Sequence, residues 1–115
     1  MKTQPLAKQT ILYNLFYKYI MDVSPDSIII TDLKSKILQA NKQAAYLHGL
    51  KDPSEIVGKD TIDLIVEEER TKLIEQIGIA FTKVSVSNCQ FNILRKDSQR
   101  FPVEVNAAII LEKKP

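Results

Sequence analysis

Between residues 10 and 23, apolar side chains recur every three or four positions: Ile11, Leu12, Leu15, Phe16, Tyr19, Ile20 and Val23. Asn14, Lys18 and Asp22 fall on the other side. This spacing predicts an amphipathic helix whose apolar stripe must be buried against something. Pro25 closes it, because a residue before proline is pushed out of helical geometry. The β-branched run Ile28 to Thr31 then predicts a short strand, covered on both faces because no polar residue interrupts it. A polar turn over 32–36 leads to a second strand at 37–40, and the pair is expected to form a hairpin.

Asn41 follows as a helix cap, since its side-chain oxygen can accept from an otherwise orphan backbone N–H. About two turns of helix are expected over 42–48. Ala44 and Ala45 allow close packing there, and Gly49 is the left-handed stop. Asp52, Pro53 and Glu55 resemble a capping box and open another short helix, which Gly58 ends. Asp60 opens a third short piece. Glu67, Glu68 and Glu69 stand at the start of a longer helix over 67–82, where carboxylates favour the positive end of the dipole. That helix carries Leu73, Ile74, Ile77, Ala80 and Phe81 on one side.

After Val84 the period becomes two. Cys89, Phe91 and Ile93 alternate with Gln90, Asn92 and Leu94. A turn at 96–99 follows, and then Phe101, Val103 and Val105 alternate with Pro102, Glu104 and Asn106. This predicts a long hairpin with one apolar face. The residues from Ala107 to Leu111 are apolar on both faces. Hairpins at both ends and helices between them give an α+β class: one antiparallel sheet with helices on one face. The first helix is left over. Either it covers the opposite face or it pairs with its copy in a second chain.

Length and composition narrow the function. At 115 residues there is one domain, with 44% hydrophobic and 26% charged residues, as in ordinary globular proteins. The net charge of +2 gives no footprint for nucleic acid. A single cysteine excludes an internal disulfide and suggests a reducing, cytoplasmic setting. No apolar run approaches the roughly 20 residues of a membrane helix, so no direct membrane insertion is expected. There is no phosphate-binding glycine loop, no H-E-x-x-H and no C-x-x-C, and an enzyme is not expected.

Three stretches share a pattern. The first is Asp26, Ile28 to Asp32, Ile37, Asn41, Ala44, Ala45 and Gly49. The second is Glu55-Ile56-Val57-Gly58-Lys59, similar to an E-x-x-G-K step. The third is the hairpin from Arg95 to Val105. In this order and at this spacing they resemble a PAS domain, a small sensory and interaction module, across residues 22–112. The resemblance implies a flanking helix at 1–21 and a PAS core at 22–115. It also implies a sheet of five strands, of which the sequence pattern predicts four, so the core is expected to lack the last. Ser35 and Ser98 stand where the family often places glycine in its two hairpin turns, so either a residue other than glycine takes positive φ there, at some cost, or the turns are of another type.

The resemblance further implies a sensory, signal-relay function: a regulatory segment of a larger protein such as a sensor histidine kinase in a two-component phosphorelay. The alternative is a ligand-free dimerisation or docking module. Candidate pocket-lining residues are Tyr46, Leu47, Leu50, Ile56 and Leu64 from the first part of the chain. Leu73, Ile77, Phe91, Ile93 and Val103 complete the set. They either line a cavity for a small apolar ligand or fill a packed core. No haem is expected, because the sole histidine, His48, lies outside the 67–82 helix. Asn88-Cys89-Gln90-Phe91 is superficially similar to the flavin-reactive segment of light-sensing relatives, yet it lies after that helix, so no flavin adduct is expected. No metal site is expected. The expected partners are an output domain in cis and a second copy. The second copy would pair through Leu12, Leu15, Phe16, Tyr19 and Val23 or through an open sheet edge.

Overall fold

A computed structural model describes the backbone of residues 6–108 and the side chains of residues 15–108. The chain divides into two units, Met1–Gly58 and Lys59–Pro115. The first unit opens with helix α1 (Leu6–Val23), which begins earlier than its periodicity predicts. Strands β1 (Ile29–Thr31) and β2 (Ile37–Ala40) follow. They pair antiparallel, Ile29 opposite Ala40 and Ile30 opposite Gln39. Their turn is built by Asp32. Its carboxylate accepts from Lys34 N at 2.8 Å and Lys36 N at 3.0 Å, while Ser35 takes a φ of 69°. Asn41 caps helix α2 (Lys42–Leu47), and Gly49 ends it at a φ of 76°. Asp52 and Glu55 close a full capping box on the 3₁₀ turn Pro53–Glu55. Ile37, Ala44, Ala45, Leu50 and Ile56 are the buried apolar residues of the hairpin, α2 and this turn.

The second unit starts with the 3₁₀ turn Thr61–Leu64, capped by Asp60, and the 3₁₀ turn Glu67–Glu69. Helix α3 (Arg70–Lys83) comes next, then strands β3 (Ser85–Leu94) and β4 (Arg100–Ala108). The hairpin turn repeats the first one. Ser98 N donates to Arg95 O at 2.9 Å, and Ser98 has a φ of 67°. A bulge at Val86–Cys89 puts Asn88 at a φ of 58°, and the Asn106 carboxamide oxygen accepts the Asn88 N–H at 2.9 Å. Phe91 and Ile93 are buried on one face of β3, as the alternation predicts.

The α+β class with antiparallel hairpins is as expected. Among the described residues β1 pairs with β2 and β3 with β4, each as a two-stranded sheet. Both ladders are local, each closed by a tight turn. The β3 groups that point away from β4 are taken by neighbouring elements instead. Val66 N donates to Asn92 O at 3.0 Å, and Ile65 bridges Ile93. In the first unit Gly58 N donates to Ile37 O of β2 at 2.8 Å.

Val84, between α3 and β3, has a φ of 74° and a ψ of −32°. A β-branched side chain is strained there, at a cost of about 1–3 kcal/mol. Val84 is half-exposed, so little packing offsets that strain. Val84→Gly is therefore expected to stabilise the protein by about 1 kcal/mol after the entropy cost of glycine. A rise of a few degrees in the thermal midpoint checks this; a fall would show that the valine packing outweighs the strain.

Candidate functional site

In the first unit Asn41 is 2% exposed, and its side chain makes four hydrogen bonds. Its Oδ1 accepts from Ala44 N at 2.9 Å and Ile28 N at 3.0 Å. Its Nδ2 donates to Asp26 O at 2.8 Å and Met21 O at 3.1 Å. Near the end of α2, His48 is buried, with its N–H on Ala44 O at 3.2 Å. Asp52 has its carboxyl held below the usual carboxylate range, first because Ser54 N donates to it. Such a group favours the fold above its ordinary pKa and loses that contribution as pH falls through the lowered value.

In the second unit the start of α3 grips β3. Glu69 Oε1 accepts from Asn92 N at 2.5 Å and Asn92 Nδ2 at 3.1 Å. Lys72 Nζ donates to Gln90 O, lies 4.6 Å from the Phe91 ring centroid and reaches Glu69 at 4.0 Å. These contacts close the free edge of β3 at Gln90 and Asn92, where an unpaired strand would otherwise invite association. Arg100 makes a two-pronged contact to Glu68, at 2.7 and 3.1 Å. That contact lowers the Glu68 carboxyl pKa and raises that of the Arg100 guanidinium.

The candidate lining residues fall into three groups. Leu50 and Ile56 in the first unit are buried, as are Leu64, Phe91 and Ile93 in the second. Leu47, Leu73, Ile77 and Val103 are part-buried. Tyr46 stands apart at 53% exposed, because it is turned off the helix side on which Ala44 and Ala45 are buried. Two open hollows lie on the second unit. One of about 530 Å³ is lined by Glu75, Gly78, Ile79, Thr82 and Lys83. The other, of about 240 Å³, is lined by Gln90, Pro102, Val103 and Glu104. They share only Val103 with the candidate lining set. No group of three or more metal-ligating side chains converges among the described residues. Nor is any described helix long and apolar enough to cross a membrane.

A family model described as PAS domain matches residues 25–114. The chain belongs to the PAS family. Solved structures give the same fold. A PAS domain from Colwellia psychrerythraea is 21% identical, with a TM-score of 0.78, covering 90% of this chain and 85% of that one. A PAS domain from a two-component sensor histidine kinase is 12% identical with a TM-score of 0.76, covering 92% and 90%. A PAS domain of a LuxR-family transcriptional regulator from Burkholderia thailandensis, in complex with ethanol, is 14% identical with a TM-score of 0.66, covering 78% and 79%. No curated protein matches the sequence.

On this PAS domain the described part of the stripe expected to form an interface is open to solvent. Leu15, Phe16, Tyr19 and Val23 are each more than half exposed; the side chain of Leu12 lies outside the described residues. Among residues 15–23 only Met21 is buried. Sequence reading identified Asn41 as a cap and missed its three other bonds, for which the sequence holds no local signal. It also missed Glu69 and Lys72, although their spacing of three on one helix face was visible.

Proposed function

We propose that this PAS domain is the regulatory, sensory segment of a larger cytoplasmic signalling protein, such as a sensor histidine kinase in a two-component phosphorelay. A ligand or partner signal alters packing in the domain and reaches α1, whose stripe pairs with that of a second copy; an output domain in cis reads the change. The observation that carries this reading is the exposed run Leu15, Phe16, Tyr19 and Val23 on a helix tied to its unit where Met21 O accepts from Asn41 Nδ2. Apolar faces of this kind mark interaction sites. An open strand edge is the second route to a dimer. The ligand in this reading is small and apolar, and the ethanol complex of the Burkholderia PAS domain supports that class. Haem and a flavin adduct do not suit the chain, because α3 carries no histidine and Cys89 follows α3. Neither nucleic acid nor membrane insertion enters the proposal.

A second reading is a docking module without ligand. The burial of Leu50, Ile56, Leu64, Phe91 and Ile93 favours it, since such side chains suit a filled core. One experiment tests the dimer and separates the readings. Sedimentation equilibrium is expected to give a dimer for the parent protein and a monomer for the double variant Leu15→Glu, Tyr19→Glu. A parent that stays monomeric at millimolar concentration overturns the helix-paired mechanism. Native mass spectrometry of protein from its own host then distinguishes a bound small molecule from none.

A further inference from the structure

A helix cap needs one bond from Asn41, the one to Ala44 N. The other three go elsewhere: to Ile28 at the foot of β1, to Asp26 in the link, and to Met21 in the last turn of α1. A carboxamide offers two N–H donors and one oxygen with two lone pairs. All of that capacity is used here, and the partners fix which way the group points, two N–H groups meeting its oxygen and two carbonyls its nitrogen. Met21 O is one of the carbonyls left without an intrahelical partner at the end of a helix, and the carboxamide satisfies it. Met21 also carries the one buried side chain among residues 15–23. In the last turn of α1 the same residue thus carries both the buried side chain and the carbonyl that Asn41 holds.

We propose that the Asn41 carboxamide is a two-sided latch. Its nitrogen half fastens α1 and the link at Asp26, and its oxygen half caps α2 and anchors β1. A shift of α2 or β1 moves the oxygen half and thereby loosens or tightens α1. The regulatory meaning of the latch rests on the sensory reading above; its mechanical action does not.

The test replaces the nitrogen half alone. Asn41→Asp at neutral pH keeps an acceptor for Ala44 N and Ile28 N, and turns the other oxygen against the carbonyls of Met21 and Asp26. Hydrogen–deuterium exchange of the whole chain reads the result. Amides at 21–26 are expected to exchange about tenfold faster, the size of roughly one lost hydrogen bond. Amides at 44–48 are expected to stay within about threefold of the parent, as befits local opening. Equal acceleration in both segments, or none in either, overturns the latch. If the charged variant does not fold, Asn41→Ser carries the same comparison, because its hydroxyl keeps the cap bond and is too short for the carbonyls. Selective release of α1 with unaltered output from the intact signalling protein would keep the latch and count against the relay reading, so the two failures are distinguishable.

Discussion

Phe91→Ala is expected to cost about 3–5 kcal/mol, the range for removing a large aromatic side chain from a packed interior. Phe91 is 2% exposed, sits opposite Val103 in the β3–β4 ladder, and has the Lys72 ammonium over its ring. Truncation opens a void beneath α3 and leaves Lys72 without the ring that its charge faces. Since whole domains are stable by only about 5–15 kcal/mol, the variant is expected to be partly unfolded at 37 °C. Urea unfolding followed by circular dichroism checks this, with a lower midpoint and an unchanged slope. A loss below about 1 kcal/mol would mean that the neighbours collapse into the space.

The elements that were legible in the sequence are those set by local chemistry. Asn41, Asp52 and Asp60 each cap the turn they precede, and Gly49 and Gly58 take positive φ where a stop is needed. Ser35 and Ser98 also take positive φ, which decides between the two turn types that their positions left open. The alternation through Phe91 and Ile93 puts both on the buried face. In each case a few neighbouring residues decide the conformation, so the signal lies within one turn of chain.

What escaped the sequence depends on groups far apart along the chain. The pairing of Ile65 and Val66 with β3 joins residues nearly thirty positions apart, and neither residue has a strand pattern around it. Arg100 and Glu68 are separated by 32 positions. The outer edge of β3 is occupied by Val66, Glu69 and Lys72, none of which belongs to a strand. Val84 is the opposite case. Its neighbours are local, but a β-branched residue argues against positive φ, and the change from helix to strand imposes that value. Of the candidate site, the stripe on α1 was readable from its period, and its exposure was not, because the period shows which residues share a face and not whether that face is covered.

Asn41→Leu is expected to have the other large effect, and it probes a different physical quantity from Phe91→Ala. Leucine has the same branching and the same number of side-chain heavy atoms as asparagine. Its methyl groups are bulkier, however, and need more room than partners held at 2.8 to 3.1 Å leave, so overpacking adds to a loss that is mainly polar. Four backbone groups lose their partner: Met21 O, Asp26 O, Ile28 N and Ala44 N. The bonds to Met21 O and Ala44 N are fully buried and those to Asp26 O and Ile28 N part-buried. Water can replace the partner at the part-buried pair more readily than at the buried pair. An orphaned buried group costs about 1–3 kcal/mol, so the two buried groups alone give about 2–6 kcal/mol. Denaturant unfolding of Asn41→Leu beside Asn41→Ser measures this, with the serine variant expected to recover about 1 kcal/mol through the restored cap. Equal losses for the two variants would show that the cap at Ala44 contributes little, and that the bonds to α1, the link and β1 carry the stabilisation.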